Sequence, residues 1–447
     1  MSQQIPPTGP NVPPRVAGTA GLAALAIGIV IGSGIFKVPG TVFEAAGENP
    51  SIALGFWVVG GLIALTGALT TAELAAMFPR QGGTFVYVNE AFGAFWAFAV
   101  GWCSCLVGFP ASCAAIARVF GEYATVALGR EGHATTFGFV LLCVCALFNL
   151  RGSRFSFGLQ TVLTGVKVVL VAVFAGALLT ATPQAVVAEP ASSAPWVFGF
   201  GVMAAGLIPV IWTFDGWQNL VVVAGEATAP ERTLIRGLVG TIALVSVLYL
   251  VINIGLFRAL APDVLSGHPI PAAAAADAAF GDVGARLISG LVALTTGTAV
   301  FGIFVAGPRF IYAMGQAGFF FQATARLDPK TGAPRVGIAV AFVIAAAYFV
   351  TSTFGQILAI YAFVGLTVEV LGVLALFALR RQRPDADRPV RVPLYPAVPL
   401  LYAAACALLV VGAVSGAPTH CLIGGVLMAI TYPVFRIWQG MARAEAA

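Results

Sequence analysis

The chain has 447 residues, of which 59% are hydrophobic and only 9% charged, and its mean hydropathy is +0.96. A soluble domain carries about 25% charged residues, and a disordered chain combines low hydrophobicity with high net charge, so both classes are excluded and an integral membrane protein remains. The net charge of +5 is small for this length and argues against a nucleic-acid partner.

Residues 1–14 are polar and proline-rich, and are expected to form a cytoplasmic tail. The first apolar run is too long for the hydrophobic region of a cleavable signal peptide, so the first helix is expected to remain in the mature protein. A span needs about 20 apolar residues. Runs of this kind predict twelve transmembrane helices, at 17–44, 52–78, 92–117, 135–150, 156–181, 197–224, 236–257, 286–316, 335–352, 356–380, 394–415 and 418–438. The runs are continuous rather than alternating, which excludes a β-barrel. The segment 262–284 holds Asp263, Asp277 and Asp282 around Pro271–Ala276, and reads as a long loop with a short helix.

With the N-terminus inside, most of the 23 Lys and Arg residues fall in inner loops. Only Arg130, Arg258 and Arg286 fall in outer loops, while Lys37, Arg118 and Lys167 lie near or within spans. The positive-inside rule then predicts cytoplasmic N- and C-termini in a multi-pass protein of the plasma or inner membrane. Cysteines occur at 103, 105, 113, 143, 145, 406 and 421, most of them inside apolar stretches where they read as small hydrophobes. Cys103/Cys105 and Cys143/Cys145 diverge in direction on a helix, and His133, His268 and His420 fall in outer loops without metal-site spacing. No metal or cofactor is expected.

Two spans carry helix-breaking sequence. In the first, Gly28, Gly32 and Gly34 surround Ser33, and each glycine weakens a helix by about 1 kcal/mol relative to alanine. In the sixth, Gly206 and Pro209 precede Trp212-Thr213-Phe214-Asp215-Gly216-Trp217. Pro209 lacks a backbone donor, and Asp215 is an ionisable group at membrane depth. Two interrupted helices about five spans apart point to an inverted-repeat transporter with its site at the breaks. Unwound backbone is tolerated in the bilayer only where it lines a cavity. Freed amides at Gly32, Ser33 and Gly34 can hold a carboxylate at the start of a half-helix. Freed carbonyls near Val30 and at Trp212, Phe214 and Asp215 can accept from an ammonium. Together they match a zwitterionic amino acid. The bland alternative is that Gly32–Gly34 is a helix-packing notch.

At these motifs the chain resembles the amino acid–polyamine–organocation superfamily, in its bacterial L-type amino acid transporter-like branch. The resemblance covers residues from about 15 to 435. It is carried by Ile31-Gly32-Ser33-Gly34-Ile35-Phe36 in the first span, by Ala72-Glu73-Leu74 with Phe78 to Tyr87 after the second, and by Phe214-Asp215-Gly216-Trp217 in the sixth. Gly225 to Arg236, Arg309 to Gly318 and Arg388 to Pro396 match further cytoplasmic segments. The resemblance implies an all-α leucine-transporter fold with helices 1 and 6 broken. It implies a 1–14 tail, a first repeat at 15–181, a second at 197–381, two extra helices at 394–438 and a cytoplasmic tail at 439–447.

Lys167 lies in the fifth span, where a lysine is expensive and is a functional candidate by default. It could cycle a proton or remain a fixed ammonium; snorkelling to an interface is the rival reading. The resemblance implies that its nitrogen stands where sodium-coupled relatives bind a cation, near the Gly28 carbonyl and hydroxyls among Thr295, Thr296 and Thr298. It also implies that Trp212 is a lid over the substrate, against ordinary packing as the alternative. Asp215 could hold a cationic side chain, but a cap on the following half-helix is preferred. Glu73 is expected to pair with a loop arginine such as Arg80, and Arg118 with Glu122 as an i, i+4 ion pair. Glu369 in the tenth span is either a packing partner for another polar group or part of a proton path.

The function expected is secondary transport of L-amino acids by alternating access, sodium-independent, as an exchanger or proton-linked. Substrate is held by Val30, Gly32, Ser33, Gly34, Trp212, Phe214 and Asp215, with Ala111, Ser112 and Glu369 as further candidates. The small or apolar lining (Val30, Ala111, Ser112, Phe214) suggests a neutral substrate. The alternative is an antiporter or proton symporter of cationic amino acids or polyamines. A sensor or channel would need an output domain or a charged pore ring, and an enzyme a nucleophile or metal constellation; neither is visible. The outer loop after the third span lacks a cysteine, so no covalently linked partner subunit is expected.

Overall fold

The computed structural model describes residue 15 and residues 17–180, 199–228 and 230–446. The predicted tail at 1–14 lies outside the described residues. A chain in hydrocarbon must pair its backbone internally, and the described residues are accordingly helical, with one parallel bridge between Ala17 and Ala227.

The first run folds as α1 (Thr19–Val30), α2 (Gly34–Lys37) and α3 (Pro39–Ala45), followed by α4 (Pro50–Met77). Asn49 starts α4: its side chain accepts from the Ser51 and Ile52 amides at 3.0 and 3.2 Å, and Pro50 sits where no donor is needed. After α5 (Thr84–Phe92) and α6 (Ala94–Cys103), a π-helical turn at Ser104–Gly108 leads into α7 (Phe109–Leu128). Then come α8 (Ala134–Asn149), α9 (Ser153–Thr180), α10 (Phe200–Phe214), α11 (Asn219–Val222), α12 (Pro230–Ala259), α13 (Pro262–Leu265) and α14 (Pro271–Gln316). The chain ends with α15 (Arg335–Thr351), α16 (Phe354–Gln382), α17 (Ala397–Gly416) and α18 (Pro418–Ala446). Among the described residues, nine helical stretches are long and apolar enough to cross a membrane, and α8, α10 and α15 are shorter apolar helices. Each predicted run overlaps helix among the described residues, with breaks inside those at 17–44 and 197–224.

Three expectations are corrected. The segment 262–284 is mostly helical: α13 is followed by the start of α14, which bends at Gly281, where φ is 69°. That left-handed conformation suits glycine, so one residue turns the chain without a loop. Glu73 does not pair with Arg80. It is fully buried, accepts two bonds from Arg380 at 2.9 and 2.6 Å and one from the Val392 amide at 2.8 Å, and lies 3.4 Å from Arg388. Arg80 instead meets Glu90 at 2.7 Å, where Arg383 joins it at 2.9 Å. Arg380, Arg383 and Arg388 are distant in sequence from the carboxylates they meet, so local spacing could not pair them. Arg118 and Glu122 also part company. Glu122 takes Lys37 at 2.6 Å, and Arg118 donates to the Phe349 carbonyl at 2.5 Å and covers the Phe349 ring. Long side chains here reach neighbouring helices rather than the next turn.

Candidate functional site

The site is built where α1 and α10 stop. Beyond Val30 the Gly32 amide turns back to the Val30 carbonyl at 2.7 Å, and the amides of Ser33, Gly34 and Ile35 donate to no described residue. Ser33 Oγ is buried and unpaired beside them. The helix then resumes as α2 and α3, with Val38 between them in helical geometry. In α10 the Thr213 hydroxyl bonds back to the Pro209 carbonyl at 2.8 Å. The helix ends at Phe214, Asp215 is extended, and Gly216 has φ 115°, which a side chain would oppose. The Phe214 and Asp215 carbonyls accept from no described residue.

The two breaks press on each other. A Cβ at Gly34 would lie 2.5 Å from Thr213 Oγ1, and one at Gly216 would lie 2.7 Å from Ile29 Cγ2. The Tyr249 hydroxyl of α12 ties them, 2.7 Å from the Val30 carbonyl and 3.1 Å from that of Thr213.

A cavity of about 130 Å³ opens at this junction. Val30, Gly32, Ser33, Gly34, Trp212 and Asp215 line it, as expected, together with Ser112 and Glu369. Phe214 does not: its ring packs on Trp57 and Tyr249, at 6.4 and 5.1 Å. Ala111 is buried on the same helix as Ser112 but outside the lining. The Val30 carbonyl is also less free than expected, since Gly32 and Tyr249 both donate to it. The Trp212 carbonyl likewise accepts from the Asp215 amide at 3.1 Å. At the cavity the acceptor for an ammonium is thus the Asp215 carbonyl, and the donors for a carboxylate are the Ser33 and Gly34 amides.

Lys167 of α9 is fully buried and donates to the carbonyls of Gly28 at 2.6 Å, Ile31 at 2.8 Å and Thr295 at 3.1 Å. The Gly28 contact was expected; the hydroxyl contacts were not found. Thr295 and Thr296 return their hydroxyls to the Val292 carbonyl, and Thr298 to that of Thr295, as threonines in apolar helices do. The ammonium therefore sits among carbonyl oxygens from the end of α1 and from α14, a ligand set that suits a small hard cation. Snorkelling is excluded by the burial.

Asp215 is held by Gln218, whose Nε2 donates to Asp215 Oδ1 at 2.8 Å while its Oε1 accepts from the Gly216 amide at 3.0 Å. The Gly216 amide thus goes to Gln218 rather than to Asp215, which Gln218 holds in turn. The same Nε2 lies 3.3 Å from Glu369 Oε1, and Tyr402 donates to Glu369 Oε2 at 3.1 Å. Trp212 stands against Phe354 edge-on at 5.2 Å, and Lys37 lies over the same Phe354 ring. On the opposite side Glu226 receives Arg309 at 2.5 Å and Gln81 at 3.1 Å, and Arg309 also reaches Ser153 at 2.8 Å. The Ala17 amide donates to the Glu226 carbonyl and the Thr228 amide to the Ala17 carbonyl, both at 3.0 Å, so the start of α1 is tied down there.

Gln218, Asn219, Tyr249 and Tyr361 were not anticipated. One signal was available: Tyr361, Gly365 and Glu369 recur every four residues and all line the cavity. Nothing local in sequence marks Tyr249.

A helical membrane protein with two abutting broken helices and a small cavity between them is built as a transporter, not as an enzyme. Residues 18–434 match the family described as amino acid permease, and the chain belongs to that family. It is 28% identical over 428 residues to the serine/threonine exchanger SteT of Bacillus subtilis, covering 95% of this chain and 96% of that one. It is 30% identical to the b(0,+)-type amino acid transporter 1 of Mus musculus over 83% of this chain and 77% of that one. Identity to the human large neutral amino acids transporter small subunit 2 is 27%, over 94% and 80% of the two chains.

Proposed function

We propose that the chain exchanges L-amino acids across the membrane by alternating access, without sodium. One observation carries this: Ser33 and Gly34, whose amides are unpaired, and Asp215, whose carbonyl is unpaired, line one cavity between the two broken helices. The amides and the Ser33 hydroxyl receive the α-carboxylate, and the Asp215 carbonyl receives the α-ammonium. The Lys167 ammonium takes the place of a transported cation, so substrate binding needs no sodium. Trp212, backed by Phe354, closes one side, and the Glu226–Arg309 cluster closes the other.

The twelve helices form a leucine-transporter fold, with repeats at 15–181 and 197–381 and two added helices at 394–438. The inner placement of the basic residues supports cytoplasmic termini, including the 439–447 tail, in a plasma or inner membrane. The outer loop 129–133 has no cysteine, which favours action without a covalently linked subunit. The relatives' names, which include a serine/threonine exchanger and a large neutral amino acid transporter, support amino acid exchange. The expectation of a neutral side chain loses two of its supports, because Phe214 and Ala111 lie outside the cavity.

The test is recognition of the zwitterion. L-Norleucine, pentylamine and hexanoate are compared in binding to the purified protein. Binding of the amino acid alone is expected; equal binding of either half-molecule would contradict a site built from paired donors and acceptors.

A further inference from the structure

Two turns meet at the end of the bundle that the orientation proposed above places inside. One joins α8 to α9, and the other leads into α15. Gly152 lies so close to the Thr331 carbonyl that a Cβ there would strike it. The contact brings Arg151 and Arg154 of the first turn beside Lys330 and Arg335 of the second. Asp328 is the carboxylate of this pair of turns, and it is already occupied. It accepts from the Lys330 and Thr331 amides at 3.1 and 2.8 Å and meets Arg335 at 3.1 Å. Arg151, Arg154 and Lys330 are exposed and form no ion pair among the described residues. By contrast Arg309, Arg380 and Arg383, at the same end, each meet a glutamate.

The cluster also borders an apolar surface. The Arg151 guanidinium lies over the rings of Phe148 and Phe155, at 5.1 and 5.3 Å, which holds it at the end of α8. Leu147, one turn before Arg151, is 62% exposed, and Val336, next to Arg335, is 40% exposed. These side chains belong to α8 and α15, which pack together through Phe139 on Phe342 and Phe349, at 6.3 and 6.4 Å. Apolar side chains left exposed on membrane helices face acyl chains, so the cations stand where headgroups begin. A phosphodiester supplies what they lack, a fixed negative charge and oxygens that only accept. Arginine grips such a group through paired N–H donors and lysine as a point charge, and basic pockets between membrane helices on the cytoplasmic side take anionic headgroups.

We propose that Arg151, Arg154 and Lys330 bind the headgroup of an anionic phospholipid, whose acyl chains cover the neighbouring apolar surface of α8 and α15. The lipid then bridges the start of α9, the helix that carries Lys167, to the loop before α15.

The test is competition between phosphatidylglycerol and phosphatidylcholine of identical acyl chains for the full-length protein in detergent, with bound lipid counted by the mass of the intact complex. A basic residue near an anionic headgroup contributes about fivefold in affinity, so wild type is expected to take phosphatidylglycerol at least about fivefold more readily. Arg154→Gln with Lys330→Gln changes two exposed side chains and is expected to reduce that preference to about twofold or less; Arg151→Gln alone is expected to weaken it in the same direction. Arg381→Gln with Arg391→Gln, exposed residues elsewhere at the same end, is expected to leave it unchanged. No preference in wild type, a preference that survives Arg154→Gln with Lys330→Gln, or an equal loss in the Arg381 and Arg391 variant would overturn the site. Displacement of the lipid by soluble glycerol phosphate at equal concentration would show a site for free anions and overturn the lipid assignment.

Discussion

Replacing Lys167 with methionine keeps the length of the side chain and removes its charge and three donors. The Thr295 carbonyl would keep the Thr298 hydroxyl at 2.8 Å. The Gly28 and Ile31 carbonyls accept from no other described residue, so both would be left buried and unpaired. A buried unpaired group costs about 1–3 kcal/mol, or about 2–6 kcal/mol for two. Relief of the buried ammonium offsets part of this, and the lower figure is taken as the net. If the break must be re-formed for binding, a penalty of about 2 kcal/mol weakens affinity roughly 30-fold. Equilibrium binding of a labelled amino acid reads the loss, and hydrogen exchange at residues 28–36 reads the loosened break. Wild-type affinity with unchanged exchange in Lys167→Met would refute the reasoning. Lys167→Arg separates the two roles left open for the nitrogen, because a guanidinium stays charged. Transport with an unchanged pH profile marks a fixed charge, and a flattened profile marks a proton taken up at Lys167.

Gly34→Ala places a methyl group against Thr213 and forces the breaks apart, so amino acid binding should fall by about tenfold or more. Wild-type affinity in a binding assay would show that the breaks need not touch. Glu73→Gln strips a fully buried carboxylate from Arg380 and Arg388, and should lower stability by about 3–5 kcal/mol with ligand preference unchanged. A thermal midpoint equal to that of wild type would contradict it. Burial alone would raise the pKa of Glu90, outside the spans, but hydrogen bonds and charge from Arg80 and Arg383 outweigh it and hold the carboxyl below the ordinary glutamate value. A depressed folded-state pKa stabilises at pH above the ordinary value and loses that contribution as pH falls through the depressed one. Thermal midpoints taken from neutral to acid pH should therefore fall more steeply for wild type than for Glu90→Gln; parallel curves would exclude the linkage.

Most of the helical layout was legible because long apolar runs have one solution in a bilayer. The two breaks were legible for a related reason. Glycines and a proline in an apolar run cost enough that a cavity is the plausible compensation, and Gly34 and Gly216 are indeed where an added Cβ would strike the other broken helix. The partners of charged side chains were less legible. Glu73, Glu122 and Arg118 were assigned to sequence neighbours, whereas they meet residues up to 319 positions away, set by helix packing. The cavity wall mixed both outcomes. Asp215 and Ser33 follow from the breaks themselves, but the direction of the Phe214 ring depends on where Trp57 and Tyr249 stand. The 262–284 segment read as a loop because of its three aspartates, and the bend that Gly281 makes inside a helix leaves little trace in composition.

The central claim is exchange of amino acids at a cavity that needs no sodium. Proteoliposomes holding the purified protein, loaded with an unlabelled amino acid and placed in sodium-free medium with the same amino acid labelled outside, test it directly. Label should accumulate in loaded vesicles and not in empty ones, at a rate unchanged by added sodium. Accumulation only with sodium, or none under either condition, would contradict the account.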